Sequence, residues 1–488
     1  VDLISSFGFG RDLVDYAEGC WIYTKDNKKI LDFTGGVGVL NHGHNHPRIL
    51  KARIDYQRNK KMEVHKNYFS PYVAALSHNI AKILPGDLNI SYFPNSGAEA
   101  VEGALKLAYK FYGGARKSVL YSDISFHGKL LGSASITGSP ELDFKFPEIP
   151  NAYSFKYNDI NSLLTTINEL SNSGKSDVYA IIIEPFNASS LQRCSKEFLI
   201  KLREICDKEN IVLIFDEVYT GWAKTGELFY FMHYDLLPDI LTYAKSFGGG
   251  KSSIAGYTCR DHIFKNAYGN LNDAILHSTT YNGFGEETVT SIEALNIILD
   301  DDYVLKSKRI YEQINSGLTV LQKKYPKILR EIRGAGALNG VLINVQSKIL
   351  ESMKNIIINK DKTYSPLALY YLLDNDLITS KEEINKYFDI LIYEIGLDDE
   401  NKNLTIFKKG LFNSEFANEN ELLDILNPII KSESIWKPHA LYLMAEYYFA
   451  KKEKQKSKEF LDQLISLKNI NQKIKLEAQK RLRSDFSE

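Results

Sequence analysis

The chain has 488 residues, 44% hydrophobic and 25% charged, an ordinary globular make-up of about three domain lengths that excludes a disordered, collagen-like or membrane-embedded protein. With 60 Lys and Arg against 61 Asp and Glu the net charge is −1, which argues against nucleic acid as a partner. The 4 Cys (Cys20, Cys194, Cys206, Cys259) form no CxxC pair, so neither a zinc ribbon nor a thioredoxin motif is present, and scattered thiols fit a reducing compartment. No apolar run reaches the roughly 18 residues of a membrane helix. No leader pattern precedes the globular sequence, so a cytoplasmic location is the expectation.

Residues 21–34 alternate around Asp26-Asn27 and read as a β-hairpin, and 47–83 read as mainly helical. Residues 98–112 carry apolar side chains at helical spacing, with Ser96 placed to cap them. Short apolar strands follow at 119–121, 178–183, 211–215, 239–243 and 254–258, with an amphipathic helix at 196–209. Strands that are apolar on both faces and alternate with helices imply a parallel sheet covered on both sides. From about residue 300 two helical stretches lead to Arg333-Gly334-Ala335-Gly336 and a strand at 340–345. Residues 351–400 are rich in Asn, Lys and Asp, with helical patches, and 404–430 read as strand, loop and helix. Amphipathic helices are expected at 438–450, 455–467 and 471–482. Leu441, Met444, Ala445, Tyr448, Ser457, Leu461 and Leu464 have the spacing of one tetratricopeptide-like hairpin. A single copy cannot bury its own faces, so a helical cap on the main body is the competing reading.

Three motifs fail on inspection. Gly248-Gly249-Gly250-Lys251-Ser252 resembles the end of a P-loop, but Lys245 stands where its first glycine belongs. Gly334-Ala335-Gly336-Ala337-Leu338-Asn339 ends on Asn339 and precedes a strand, so it is not a dinucleotide fingerprint. His42, His44 and His46 alternate, but no carboxylate or Cys completes them nearby and Gly43 and Pro47 suggest a turn, so no metal is expected.

Three others combine. Asp216-Glu217-Val218 ends the most apolar strand, where a carboxylate is costly unless something cationic meets it. Lys245 follows another short strand in a glycine-rich turn, a place where burial can make a lysine nucleophilic. Asn95-Ser96-Gly97-Ala98 opens a helix, whose free N–H groups and dipole suit a phosphate. Each alone has a plain structural explanation. Together, a phosphate cup, a strand-end aspartate and a reactive lysine suit pyridoxal 5′-phosphate.

These residues also sit within eight segments that together resemble the class III (ω-amino acid) aminotransferases, over about residues 19–340 and more loosely to 431. The segments are Leu31-Asp32-Phe33, Gly43-His44-Asn45-His46-Pro47, Asn95 to Ala100, Phe126-His127-Gly128, Glu184-Pro185, Asp216-Glu217-Val218 with Gly221 and Thr225-Gly226, Lys245 with its glycines, and His277 to Thr280. The resemblance implies an α/β, fold type I pyridoxal-phosphate-dependent transferase. Its mostly parallel central sheet would lie in a large domain, with a smaller α+β domain from both chain ends and an α-helical C-terminal tail. The expected boundaries are 1–45 for the N-terminal part of the small domain, 46–300 for the large cofactor-binding domain, 301–432 for the C-terminal small domain and 433–488 for the tetratricopeptide-like extension.

The resemblance also assigns roles. Lys245 would hold the cofactor aldehyde as an imine and shuttle the proton, and Asp216 would pair with the pyridine nitrogen. Val218 would press one ring face and Phe126 would stack on the other, with His127 and Tyr219 among the cofactor contacts. Ser96, Gly97 and Ala98 would hold the phosphate. Thr280 would reach the phosphate of a neighbouring subunit, giving a homodimer with shared active sites. The substrates would be small-molecule amines and carbonyl compounds, with no nucleic acid and no membrane as partner; the helical tail is a candidate surface for a protein partner.

Several positions depart from the family pattern. Tyr219 replaces a common Gln, Lys224 replaces the Arg before Thr225-Gly226, and 186–190 replaces a loop with glycine and glutamate. Ile406 aligns where many members carry an Arg that clamps the substrate carboxylate, with Lys408 and Lys409 as the nearest substitutes. Use of 2-oxoglutarate therefore does not follow from the resemblance. The activity implied is transfer of an amino group between an amine or amino-acid donor and a carbonyl acceptor. The alternative on the same residues is a pyridoxal-phosphate-dependent aminomutase or racemase, and a non-enzymatic scaffold is disfavoured by the intact Lys245 and Asp216.

Overall fold

The computed structural model describes residues 13–138, 146–172, 175–273, 276–326, 328–343, 349–375, 377–467 and 472–485. The end of the strand expected at 340–345, the first residue of the helix expected at 471–482 and positions 1–12 of the expected small domain lie outside the described residues. The chain divides into two compact units, Val1–Lys323 with Glu331–Leu342, and Lys324–Arg330 with Ile343–Glu488.

In the first unit an antiparallel sheet of β1 (Val14–Glu18), β2 (Trp21–Thr24) and β3 (Lys29–Leu31) contains the expected hairpin. Helices Pro47–Arg58 and Pro71–Ile83 follow, the second capped by Ser70, whose Oγ accepts from Val73 N, with Pro71 at its first position. The central sheet takes β4 (Leu88–Tyr92), β5 (Ser118–Ser122) and β6 (Ala152–Phe155). A short ribbon of β7 (Ser171–Asn172) and β8 (Lys175–Ser176) intervenes before β9 (Val178–Ile183), β10 (Val212–Asp216), β11 (Ile240–Tyr243) and β12 (Gly256–Arg260). The strand order is β4-β12-β11-β10-β9-β5-β6. The pairs β6/β5, β5/β9, β9/β10 and β10/β11 are parallel, and β12 is antiparallel to both neighbours.

The apolar strands behave as their composition requires. Along β9, Ile181 and Ile183 join the core on one face of the sheet while Ala180 and Ile182 join the other; along β10, Leu213 and Phe215 oppose Val212 and Ile214 in the same way. Both faces are covered by helices, among them Gly97–Phe111 and Lys196–Glu209, which bury one stripe each. The hairpin of β13 (Leu329–Ala335) and β14 (Leu338–Ile343) follows the long helix Tyr303–Lys324.

The second unit is helical from Ile349 onward among the described residues, with successive helices ending at Gln472–Asp485. The strand expected within 404–430 is absent from the described structure. Helices Asp399–Asn413 and Glu419–Ile430 occupy that stretch, the first started by Asp398, whose side chain accepts from Asn401 N. The seven residues singled out at 441–464 are all buried. Met444 and Tyr448 join the same core as Leu369, Leu391 and Leu422. Leu441, Ala445, Leu461 and Leu464 form a second core with Ala478, so the helical hairpin is buried on both sides. No helix among the described residues is long and apolar enough to cross a membrane.

Candidate active site

Three adjacent parallel strands deliver three ionisable groups to one edge of the sheet. Glu184 follows β9, Asp216 ends β10, and Ala244-Lys245 follow β11. Parallel register makes these ends coincide, which is where open α/β sheets bind ligands. The ends open into a cavity of about 920 Å3, a size that takes a cofactor and a small substrate.

Asp216 is buried with 4% exposure. Its Oδ2 accepts from His127 Nδ1 at 2.6 Å and its Oδ1 from Val218 N at 2.9 Å, so the carboxylate is fixed from both sides. His127 Nε2 is buried without a partner among the described residues. Glu184 accepts from Phe126 N at 2.9 Å, Asn187 Nδ2 at 2.8 Å and Ala188 N at 3.2 Å, tying the 126 and 188 loops to the strand end. Burial lifts its carboxyl to about 7, against the pull of His127.

Lys245 has the left-handed φ of 55° that only a strongly determined site imposes on a side-chain-bearing residue. Its Nζ donates to Val37 O at 3.3 Å. Burial lowers its pKa, with Asp216 and Glu184 pulling the other way. The carbonyl it meets belongs to a turn in which Gly36, Val37 and Gly38 all have positive φ. Gly38 is required there, because a Cβ would come within 2.8 Å of Tyr219 Cε2.

Helix Gly97–Phe111 opens on the same cavity, capped by Ser96, whose Oγ accepts from Glu99 N at 3.3 Å. Of the residues singled out in the sequence, Ser96, Gly97, Ala98, Phe126, His127, Asp216, Val218, Tyr219 and Lys245 all line the cavity. Thr280 does not; it is exposed on a turn beside Thr279, whose N–H donates to Tyr92 Oη at 3.1 Å. The sequence reading passed over Val37, Val39, Lys129, Ser189 and Lys251 as lining residues. The glycine-rich stretch before Leu40 and the failed P-loop motif carried that signal, since both line the cavity instead of binding a nucleotide.

The substitutes proposed for the missing arginine are engaged within the second unit. Ile406 is buried in helix Asp399–Asn413, Lys408 Nζ stands 3.9 Å from the Tyr370 ring centroid and Lys409 Nζ pairs with Asp389 at 2.6 Å. Two of the three alternating histidines anchor the turn: His42 Nε2 meets Ala294 O at 2.9 Å and His44 Nε2 meets Asp32 Oδ2 at 2.8 Å. Among the described residues no group of three His, Cys, Asp or Glu side chains could hold a metal ion.

Glu217 points away from the cavity and organises the chain behind it. It is fully buried and accepts from Tyr230 N at 2.6 Å, Phe231 N at 2.8 Å and Thr220 Oγ1 at 2.9 Å. Burial raises it from 4.5 to about 7. Between those values the folded chain holds a proton that the unfolded chain has lost, so stability falls as pH rises through the window. The slope is up to about 1.4 kcal/mol per pH unit for such a group. Glu217→Gln is therefore expected to flatten the decline of the urea midpoint between pH 5 and pH 7, the window set by its own shift. A slope equal to the parent's refutes this assignment.

A family model for class III aminotransferases matches residues 11–393. Acetylornithine aminotransferase of Clostridium acetobutylicum is 30% identical over 409 residues, 82% of this chain and 98% of that protein. Among solved structures, a transaminase from the marine bacterium Virgibacillus superposes with a TM-score of 0.66 at 22% identity, covering 74% of this chain and 86% of that one. The acetylornithine aminotransferase of Elizabethkingia anophelis superposes with a TM-score of 0.58 at 25% identity, covering 73% and 86%. The family match stops short of helix Asp399–Asn413 and the four helices after it.

Proposed function

The chain belongs to the class III aminotransferases, α/β enzymes of fold type I, and from that premise we propose that the cavity bounded by Lys245 and Asp216 is its pyridoxal 5′-phosphate and substrate site. The observation that carries the reading is the meeting of a half-buried lysine, a buried carboxylate and a helix N-terminus in one cavity at the ends of adjacent strands. The cofactor's chemistry fits these groups. A phosphate is met by free backbone N–H groups at Gly97 and Ala98. Gly97 keeps that approach open, for a Cβ there would lie 2.9 Å from Val218 Cγ1. A flat ring finds Val218 and Phe126 along the lining, and a ring nitrogen finds Asp216.

Bound there, the cofactor supplies a reversible carbonyl and an electron-accepting ring. The chain's own groups do the rest. Asp216, clamped by His127 and Val218, holds a proton on the ring nitrogen. Lys245 Nζ, driven toward its neutral form by burial, would be the base that takes a proton from the donor's amine-bearing carbon and delivers it to the cofactor's carbonyl carbon on the other side of the nitrogen. Glu184 positions the Phe126 and Ala188 loops. Among the described residues the lining also carries Lys251, a point charge that would hold a substrate carboxylate with less directional selectivity than an arginine fork. A donor with a terminal amine, with loose demands on its carboxylate, follows; the names of the relatives support the same class. Thr280, exposed and off the cavity lining, is free to serve a neighbouring subunit, which supports a homodimer with shared sites.

The experiment is borohydride reduction of the full-length protein after incubation with the cofactor, followed by peptide mapping and a panel of ω-amines, diamines and α-amino acids. The label is expected on Lys245, and terminal amines are expected to discharge the cofactor's visible absorption. A label on another peptide overturns the site. A donor that is processed while the absorption persists points instead to an aminomutase or racemase.

A further inference from the structure

Behind the cavity wall lies a second lysine that the proposed reaction does not use. Lys224 is buried with 5% exposure. It is carried by a turn whose backbone is covered by β13 and β14: Ala337 N donates to Lys224 O at 2.7 Å. The near-dinucleotide glycine motif serves this contact, since a Cβ on Gly336, at φ +56°, would lie 2.3 Å from that oxygen. Lys224 Nζ donates to Gly221 O at 3.2 Å and stands 5.9 Å from the centroid of the Tyr219 ring. Lys245 Nζ stands 5.2 Å from the same centroid. Both distances are within cation–π reach.

Among the described residues neither ammonium is paired with a carboxylate. Glu217, whose charge reaches Lys224, accepts instead from backbone and Thr220. His42 faces Lys224 from the preceding turn, where Asn41 Nδ2 donates to Trp222 O at 2.8 Å; burial foremost, with Lys224 a lesser cause, holds His42 neutral at about 4. Burial drives Lys224 down to about 7, and the Lys245 charge pushes it the same way. Two ammonium groups beside one ring, neither with a carboxylate partner, repel across it, and the Lys245 charge acts on Lys224.

We propose that Lys224 is a positioning residue whose charge is tied to that of Lys245 beside the Tyr219 ring, so that this wall carries one lysine charge rather than two. The inference rests on Lys245 being the reactive amine. When Lys245 Nζ takes up a proton, Lys224 Nζ releases one to solvent. When Lys245 is neutral or covalently engaged, Lys224 keeps its proton and holds the Tyr219 ring by cation–π attraction. The charge beside the ring then stays constant while the reactive amine changes state. Arginine, always charged, cannot make this exchange.

The test uses the full-length protein with Tyr219→4-fluorophenylalanine, a ring that does not itself titrate, followed by 19F NMR against pH. A step near 7, where Lys224 titrates, is expected in the otherwise unaltered chain. It is expected to vanish in Lys224→Met and in Lys224→Arg, and to move up by about one pH unit or more in Lys245→Met. A step that survives loss of Lys224, or a midpoint unmoved by Lys245→Met, overturns the proposal. Should Lys224→Met not fold, Lys224→Arg and Lys245→Met still decide it. The fluorine signal needs no cofactor, so failure of this coupling is read separately from a borohydride label that misses Lys245.

Discussion

Lys245→Ala is expected to leave a folded protein whose amino transfer is slowed by about 10^4-fold or more, since one substitution removes both a nucleophile and the proton carrier. The structure argues that the fold survives. Among the described residues the Lys245 side chain makes one hydrogen bond, to Val37 O, and Ala carries the same Cβ, so the left-handed φ of 55° costs the variant no more than it costs the parent. Lys224 does not substitute for Lys245. Its Nζ is held at Gly221 O behind Tyr219 and is not on the cavity lining. Stopped-flow single turnovers with a terminal amine give the rate, and a thermal melt checks the fold. Small added amines are expected to restore part of the rate, because the truncation leaves room in a cavity of about 920 Å3. A variant that melts like the parent and still turns over at near-parent rates would remove Lys245 from the chemistry.

The parts of the site that the sequence discloses share one property: they are carried by strand ends and a helix start, where local pattern and position coincide. Val178–Ile183 and residues 212–215 are apolar throughout, so Glu184 and Asp216, which follow them, stand out. Ser96 is a helix cap by composition and by position. The rest depends on contacts across long separations. The burial of Lys224 is set by Gly336 and Ala337, over a hundred residues later, and nothing around Lys224 marks it as different from a solvated loop lysine. The 35–38 turn reads as a flexible glycine stretch, yet its positive φ values aim the Val37 carbonyl at Lys245.

The second unit shows how a helix hides. Residues 404–411 contain Thr, Ile and Phe in a short run, which favours a strand on propensity. The residues that this helix buries fully are Thr405, Ile406, Gly410 and Asn413, of which only Ile406 is strongly apolar, with Phe407 and Phe412 packed beside them half-buried. Asn413 is accommodated because its amide exchanges hydrogen bonds with Asn385 and Lys409 O, a pairing between helices far apart in sequence. The Asp398 cap is the local sign of this helix's start.

Asp216→Asn carries the second large effect, and its physical origin differs from that of Lys245. The carboxylate has two protein donors, His127 Nδ1 at 2.6 Å and Val218 N at 2.9 Å, and only an acceptor satisfies both. An amide can keep one oxygen toward Val218 but then turns its NH2 toward His127 Nδ1. To accept from it, His127 must carry its proton on Nε2, an atom buried without a partner among the described residues. Stranding a donor there costs about 1–3 kcal/mol of stability. The larger loss is functional, because a neutral amide no longer stabilises a proton on the ring nitrogen of a bound cofactor. Amino transfer is expected to fall on the order of 10^2–10^4-fold, with weaker cofactor retention on dialysis. His127→Gln separates the two causes. It frees one Asp216 oxygen yet leaves the charge, so it is expected to lower the melting temperature while costing less rate than Asp216→Asn. If both variants lose rate equally, Asp216 acts as a structural partner of His127 and its assigned role at the ring fails.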